Sequence, residues 1–171
     1  MCDALYPSAI EIRPAGPDDA EGIAGTFLES AEYHAELDPE RYSVPDVEMI
    51  AARYREGRQH PSDAGEATLT LVADLGGEIV GFMDARLDES PDPMHQEMTY
   101  CHIAEIAVRS RHRNQGIGGR LLLAAEERGQ RLGAQFASLE HHAANTGAAQ
   151  FYQERMGYQP SAIILPKRLR K

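Results

Sequence analysis

The chain has 171 residues, of which 42% are hydrophobic and 26% are charged, so the composition predicts a single globular domain with a substantial core. Its net charge of −10 disfavours nucleic-acid binding, because neutralising phosphates requires a basic surface. No run of residues is apolar and long enough to cross a bilayer, so we expect no membrane partner. The N-terminus also lacks the basic and apolar regions of a signal peptide. Cys2 and Cys101 lack disulfide or metal spacing, and these features together predict a cytoplasmic protein without a metal.

The charges are distributed unevenly along the chain. Residues 1–100 contain 22 acidic and 6 basic residues, whereas residues 101–171 contain 5 acidic and 11 basic residues. A basic C-terminal half favours binding of a small polyanion, and an acidic N-terminal half favours a cationic co-substrate. A solvated acidic surface that only maintains solubility explains the N-terminal charge equally well, because sequence alone does not place charges in space.

The first half of the chain predicts an edge strand, two helices and a hairpin. Acidic residues begin each helical pattern, and a Leu75-Gly-Gly turn separates two alternating apolar runs. In chain order, these elements are the strand 10–13, the helices 18–36 and 46–58, a loop at 57–65, and the hairpin strands 67–74 and 78–87. Residues 88–98 contain two prolines and are expected to form an exposed connection.

The second half alternates strands with helices. Gly133 and Gly157 are typical C-terminal stops for two of these elements, and Asn145 is a typical helix cap. In chain order, the elements are the strand 100–109, the helix 116–131, the strand 135–141, a helix from 145 to 156, and a last strand at 161–165. The complete order, β-α-α-β-β-β-α-β-α-β, predicts an α/β fold in which helices cover a central mixed sheet.

A glycine-rich loop joins the strand 100–109 to the following helix. Gly116, Gly118 and Gly119 let the backbone approach an anion without interference from a Cβ atom. The helix N-terminus adds exposed N–H groups and partial positive charge. Four arginines add further positive charge to the segment: Arg109, Arg111, Arg113 and Arg120. These features predict a pyrophosphate-binding loop, and a simple turn at the start of a helix is the alternative.

Two common nucleotide-binding motifs do not match this loop. A Walker A loop needs Lys followed by Ser or Thr after its last glycine, and here Arg120 and Leu121 stand in those places. A Rossmann fingerprint that begins at Gly116 needs a further glycine where the leucine stands. The loop does contain the pattern R-x-x-G-x-G, formed by Arg113, Gly116 and Gly118.

Three blocks of sequence resemble the GCN5-related N-acetyltransferase (GNAT) family. Glu105-Ile-Ala-Val108 precedes the R-x-x-G-x-G loop, and Asn145-x-x-Ala148-x-x-Phe151-Tyr152-x-x-x-x-Gly157-Tyr158 follows it after one strand. The resemblance is strong over residues 103–158 and weaker, in topology only, over residues 10–87. It implies a single domain over residues 1–171 with the GNAT fold, an acyl-CoA-binding core at 100–158, and acceptor-side helices at 18–58.

The resemblance implies acetyl-CoA as co-substrate, bound where the parallel strands 100–109 and 135–141 splay apart. The pantetheine arm would contact the backbone of Ile106, Ala107 and Val108 in the strand 100–109. A main-chain N–H near Ile106 would stabilise the oxyanion of the tetrahedral intermediate. Asn145 would hold the arm beside the sulfur. The residues implied in cofactor binding are Ile106, Ala107, Val108, Arg113, Asn114, Gln115, Gly116, Ile117, Gly118, Gly119, Arg120, Asn145, Ala148 and Tyr152.

Catalysis by such a protein requires a base and an acid. A primary amine is mostly protonated at neutral pH, so a base must take its proton before the amine attacks the thioester. Glu105 is expected to share a strand face with Ile103 and Ala107, where burial would raise its pKa. Glu140 and His102 are alternative bases, and the choice stays open. Tyr152 stands where the family has its general acid, although a core tyrosine explains the same position.

The resemblance thus implies transfer of the acetyl group of acetyl-CoA to a primary amine, on a small molecule or a protein, by direct attack in a ternary complex. The sequence has no G-x-S-x-G elbow, and the adjacent His141 and His142 point to opposite faces of a strand, so they do not chelate one metal. A non-catalytic acyl-CoA sensor and an acyltransferase for longer acyl groups are the alternatives. Homodimers are frequent in the family, so a second copy of the chain is a further partner that the resemblance allows.

Overall fold

The computed structural model describes residues 10–57, 68–89, 94, 96–167 and 169. The chain forms two compact units, Met1–Glu140 and His141–Lys171. The loop predicted at 57–65 lies outside the described residues except for Gly57, and so does part of the connection predicted at 88–98. The start of that connection is wrong, because β3 continues to Glu89.

The described part of the first unit contains five strands and three α-helices. A short 3₁₀ turn precedes the first helix. In chain order, the elements are β1 (Glu11–Pro14), α1 (Ala20–Leu37), α2 (Val47–Arg55), β2 (Thr68–Leu75), β3 (Glu78–Glu89), β4 (Thr99–Val108), α3 (Ile117–Arg131) and β5 (Phe136–Leu139). The predicted elements of this unit are confirmed in type and order, with ends that differ by a few residues.

The five strands form one mixed sheet in the order β1-β2-β3-β4-β5. Neighbouring strands are antiparallel except β4 and β5, which are parallel. The β4–β5 pairing runs only from Tyr100↔Phe136 to Ile103↔Leu139, and β4 continues from there to Val108. Within the described residues, the sheet is therefore open on the β5 side of the C-terminal half of β4, as expected for two splayed parallel strands.

A β-bulge in β4 changes the face to which its side chains point. Asp84 of β3 pairs with Glu105. The next residue of β3, Ala85, pairs with Ile103, so one residue of β4 lies between the two pairs. Because Asp84 and Ala85 point to opposite faces, Glu105 and Ile103 do so as well. The expectation that Glu105 shares a face with both Ile103 and Ala107 is therefore wrong for Ile103, since strict alternation does not hold across a bulge.

Helices cover both faces of the sheet. On one face, α1 and α2 pack on an apolar cluster that includes Ile23, Phe82 and Ala107. On the other face, α3 lies so close to β3 that a Cβ atom on Gly81 would lie 3.3 Å from a side-chain atom of Ile117 and of Leu121. Glu105 is on the face of Ala107 and therefore points towards α1 and α2. No helix among the described residues is both long and apolar enough to cross a membrane.

The second unit begins with a capped helix. Asn145 precedes α4 (Thr146–Gln150), and its Oδ1 accepts a hydrogen bond from the backbone N–H of Ala148 at 3.0 Å, so the predicted cap is confirmed. The chain continues into a π-helical turn at Phe151–Arg155. The strand predicted at 161–165 is wrong, because these residues are exposed and form neither strand nor helix. A high β-propensity reflects packing on a neighbouring strand, and no described residue pairs with this run.

Candidate active site

Glu105 lies in a row of polar side chains that crosses three strands on the α1–α2 face. Asp84 pairs with Thr70 of β2 on one side and with Glu105 of β4 on the other. The Oδ1 atom of Asp84 accepts a hydrogen bond from Thr70 Oγ1 at 2.7 Å, and its Oδ2 atom accepts one from the Tyr54 hydroxyl at 2.6 Å. Asp84 is only 6% exposed. We call Tyr54, Thr70, Asp84 and Glu105 the Glu105 cluster.

The electrostatics of this cluster favour proton uptake by Glu105. Burial raises the pKa of Glu105 to about 7, and the negative charge of Asp84 adds to the shift. Burial and the charge of Asp84 also raise the pKa of Tyr54, so its hydroxyl keeps its proton and remains a donor. A base works best when its pKa lies near the working pH, because it is then both deprotonated and basic. Glu105 therefore has the properties of a general base near neutral pH.

The two alternative bases lie close to the same part of the sheet. His102 pairs with Arg86, which places His102 on the face that Glu105 occupies, and its Nδ1 lies 3.0 Å from Ser138 Oγ. Burial lowers the pKa of His102, and the charge of Arg86 lowers it further, whereas nearby carboxylates oppose this shift. Glu140 is exposed and follows the last residue of β5. The bulge thus turns Glu105 to the face of His102. Glu105, His102 and Glu140 all stay candidates for the general base.

The segment between β4 and α3 forms an open loop. Asn114 and Gly116 have φ angles of 61° and 79°, a region that asparagine and glycine adopt at the lowest cost. A Cβ atom on Gly116 would meet no atom within 4 Å, so nothing described covers the backbone there. The first N–H groups of α3 have no acceptor within the helix and carry its partial positive charge. The residues present therefore fit the pyrophosphate of CoA.

Two of the four arginines of this segment are paired with acidic residues. The Nη1 atom of Arg109 lies 3.8 Å from the Oε1 atom of Glu29, and Arg111 forms an ion pair with Glu78. The guanidinium of Arg113 instead donates from Nε to the backbone carbonyl at the end of β4, at 3.0 Å. The positive charge expected at the loop is therefore smaller than four arginines would supply, because acids compensate part of it.

Tyr152 lies in an aromatic cluster of the second unit. Its ring is 8% exposed, and its centroid lies 5.1 Å from that of Phe151 and 6.1 Å from those of His141 and Tyr158. These contacts give Tyr152 a packing role, and its role as general acid stays a prediction. The turn at Phe151–Arg155 is π-helical and has more residues per turn than an α-helix, so the seven-residue spacing from Asn145 to Tyr152 does not correspond to two regular α-helical turns.

Sequence reasoning missed three members of the Glu105 cluster, namely Tyr54, Thr70 and Asp84. A signal for Asp84 was present, since it is a lone acid in the apolar run 79–85, and buried carboxylates are rare unless they are paired. The other two residues belong to different elements and gave no signal. Among the described residues, no group of three or more His, Cys, Asp and Glu side chains could hold a metal ion.

Comparison with known proteins places this chain in one family. A family model described as the acetyltransferase (GNAT) family matches residues 30–158. The chain therefore belongs to the GNAT family of acetyltransferases. The catalytic subunit NAA10 of the N-terminal acetyltransferase A complex of Arabidopsis thaliana is 30% identical over 92 residues, which are 53% of this chain and 45% of NAA10. The chain thus matches less than half the length of this curated relative.

Solved structures share the fold over nearly the whole chain. A mutant of the BH1408 protein from Bacillus halodurans superposes with a TM-score of 0.81 at 21% identity, covering 93% of this chain and 99% of that one. The aminoglycoside N-acetyltransferase AAC(6')-Iy, in complex with CoA, superposes with a TM-score of 0.70 at 19% identity, covering 98% and 100% of the two chains. At these identities the similarity shows the fold alone.

Proposed function

We propose that the protein is an N-acetyltransferase that transfers the acetyl group of acetyl-CoA to a primary amine, with Glu105 as the general base. The observation that carries this proposal is a partly buried carboxyl whose pKa is raised to about 7, on the strand that the sheet leaves open towards β5. Two similar proteins are named as N-acetyltransferases, which supports an amine as the acceptor.

Proton transfer prepares the acceptor for attack. Acetyl-CoA supplies the acetyl thioester, and the acceptor supplies a primary amine that is mostly protonated at neutral pH. Glu105 takes one proton from the ammonium group, directly or through water, and frees the nitrogen lone pair. The nitrogen forms a bond to the carbonyl carbon and becomes positively charged again. The carbon–sulfur bond then breaks, the nitrogen releases a second proton, and the departing thiolate takes up one proton. Nitrogen thus loses its positive charge, and the products are an amide and free CoA thiol.

The cofactor-binding residues are proposed from the same geometry. The backbone of Ile106, Ala107 and Val108 lies along the open part of β4 and is available to the pantetheine arm. The backbone amides of the loop 113–120 would bind the pyrophosphate. A Gly118→Val variant should weaken CoA binding because the added side chain keeps the anion from the backbone. Unchanged calorimetric affinity in a folded variant would remove the loop from the proposal.

A thiol-release assay tests the proposed function. The purified chain is mixed with acetyl-CoA and a panel of aminoglycosides, polyamines and peptides with free N-termini, and we expect CoA thiol to appear only when an amine is present. Binding of acetyl-CoA without thiol release for any amine would instead indicate a sensor. Longer acyl-CoA compounds in the same assay rank the acyl preference.

Three variants test the assignment of the base. Glu105→Gln is expected to lower kcat by about 10²–10⁴-fold, with acetyl-CoA binding unchanged. His102→Gln and Glu140→Gln remove the alternative bases in the same way. The largest loss of kcat identifies the base, so a Glu105→Gln variant with the parent kcat would exclude Glu105.

Tyr152 is proposed to protonate the departing thiolate. Tyr152→Phe removes the hydroxyl and keeps the ring that contacts Phe151 and Tyr158. Folding and CoA binding should therefore survive, and the loss should appear in kcat more than in KM for acetyl-CoA. If the variant keeps the parent rate while the chemical step limits turnover, Tyr152 has only the packing role.

A further inference from the structure

Asp84 is a buried carboxylate with no direct part in the proposed reaction. It lies in the middle of β3, within a run of residues that are buried on both faces of the sheet. Removing a carboxylate from water is costly unless hydrogen bonds compensate for the loss. Here the hydroxyls of Thr70 and Tyr54 donate to one oxygen atom each, so the carboxylate is held in one position from two sides.

The bulge in β4 is the feature that brings Glu105 opposite Asp84. With strict alternation after Ile103, the side chain of Glu105 would point to the face of α3. The register instead makes Asp84 and Glu105 direct cross-strand partners, and Cβ atoms of such partners lie about 4.5–5.5 Å apart. Two carboxyl groups this close do not ionise independently, because each negative charge opposes the other.

Six other titratable groups surround the pair. They are Tyr54 and Arg53 on α2, Arg86 and Asp88 on β3, His102 on β4 and Glu140 after β5. Tyr54 donates to Asp84, and Arg53 acts on Tyr54. The charges of Arg86, Asp88 and Glu140 act on His102. The charge that adds to burial in raising the pKa of Glu105 is that of Asp84, and the pKa of Tyr54 responds to both carboxylates.

We propose that Asp84 is a positioning residue that acts on the reaction through Glu105: hydroxyl donors on β2 and α2 hold its negative charge opposite Glu105, which therefore binds the proton of the acceptor more tightly. This role rests on the proposed function, because it requires Glu105 to be the base. It gives the arrangement of the cluster a chemical role, since repulsion between the two carboxylates costs stability but strengthens the base.

The test is the pH dependence of kcat/KM for the amine at saturating acetyl-CoA. The parent rate should rise with pH through a midpoint near the Glu105 pKa of about 7. Asp84→Asn removes one negative charge at nearly constant volume, so the midpoint should move down by about 0.5–1 pH unit. Asp88→Asn is the matched control, because it removes the same charge on the same face of β3 but next to His102. Its midpoint should equal that of the parent.

A second variant moves the midpoint in the other direction. Tyr54→Phe keeps the ring that packs on Phe82, with centroids 5.8 Å apart, and removes a hydrogen bond that stabilises the charge of Asp84. The donated proton then no longer offsets part of the Asp84 charge, so Glu105 is exposed to more of that charge and the midpoint should rise. Damage to the fold lowers the rate without shifting the midpoint in opposite directions. If Asp84→Asn does not fold, the upward shift of Tyr54→Phe decides the matter alone, and an unchanged midpoint overturns the role of Asp84.

The outcomes separate this inference from the proposed function. If Glu105→Gln abolishes the pH-dependent rise while Asp84→Asn leaves the parent midpoint in place, Glu105 remains the base and the role of Asp84 is wrong. If Asp88→Asn shifts the midpoint down and Asp84→Asn does not, the base is His102, because Asp88 raises the pKa of that imidazole. That result overturns both assignments.

Discussion

Two pairs of carboxylates in the first unit are stabilised in opposite ways. Asp19 and Asp74 both bind Arg13, with nitrogen–oxygen distances of 2.7 and 2.8 Å. Asp84 and Glu105 also lie together, but the partners that hold Asp84 are neutral hydroxyl groups. The guanidinium lowers the pKa of Asp19 and of Asp74 through hydrogen bonds. Burial and the charge of Asp84 raise the pKa of Glu105.

The difference between the pairs shows what a shared cation does. An arginine between two acids holds both in the ionised form, so the group ties β1, β2 and the start of α1 together and exchanges no proton near neutral pH. In the Glu105 cluster the hydroxyls donate to Asp84, and the raised pKa of about 7 lets Glu105 keep a proton to near neutral pH. The same residue types therefore stay ionised and stabilise the fold in the Arg13 group, whereas the Glu105 cluster contains a carboxyl with a raised pKa, as the proposed base requires.

The largest expected effect on stability is a gain when the carboxyl group of Glu105 is removed. The pKa of Glu105 is raised from 4.5 to about 7 in the folded protein, so the unfolded chain ionises first as the pH rises. The contribution of Glu105 to the free energy of unfolding is therefore fully present below about pH 4.5, and it is lost as the pH rises towards 7. Glu105→Gln should be more stable than the parent by about 2–3 kcal/mol at about pH 8, and equally stable at about pH 4.

Urea unfolding at the two pH values measures this gain. Glu127→Gln, at an exposed position of α3, controls for the loss of one negative charge from the chain. A gain of the same size at both pH values would contradict the expectation, because it would then come from packing and not from ionisation.

A smaller effect is expected for the Arg13 group. Arg13→Gln leaves Asp19 and Asp74 facing each other without their cation, and stability at neutral pH should fall by about 1–2 kcal/mol, since solvent screens part of the repulsion. The folded pKa values of both acids are lowered, so their contribution is present above the unfolded value of about 3.8 and is lost as the pH falls through the lowered values. The difference between variant and parent should therefore shrink in acid.

An exposed arginine provides the matched control for Arg13. Arg55 also binds two acids, Glu21 and Glu48, but all three side chains are exposed. Arg55→Gln should therefore cost much less stability than Arg13→Gln in the same urea experiment. Equal losses would mean that the Arg13 group owes nothing to its partial burial.

The elements of the sheet and the glycine turn before α3 could be predicted from local sequence because local rules determine them. The Leu75-Gly-Gly turn specifies its hairpin, and Asn145 caps the helix that follows it. Gly116 adopts the left-handed φ angle that a tight turn before α3 requires. The failed prediction at 161–165 is also local in origin, since an apolar run shows β-propensity but does not show whether a strand lies beside it.

The Glu105 cluster could be predicted only in part because register and tertiary packing determine it. Glu105 could be chosen as a candidate, but alternation along the strand assigned it the wrong neighbour, Ile103. A bulge has no sequence signal here, and it becomes visible only when β3 and β4 are paired. Thr70 and Tyr54 reach Asp84 from β2 and α2, and no spacing along the chain connects these positions.

The smallest expected effect is the coupling between Asp84 and Glu105, which a double-mutant cycle measures directly. Asp84→Asn changes two hydrogen bonds as well as a charge, so its own effect on stability has no simple sign. The cycle with Glu105→Gln cancels those other changes and leaves the interaction between the two side chains.

At about pH 8 both carboxylates are ionised in the parent, and each single variant already relieves the repulsion between them. The double variant should therefore gain about 0.5–1 kcal/mol less than the sum of the single variants. At about pH 4 the proton on Glu105 removes the repulsion, so the coupling should vanish. The corresponding cycle between Asp88 and Glu105 should show no coupling at either pH, because Asp88 acts on His102. Coupling that persists in acid would show that Asp84 and Glu105 interact by packing, and the contrast with the Arg13 group would then have no electrostatic basis.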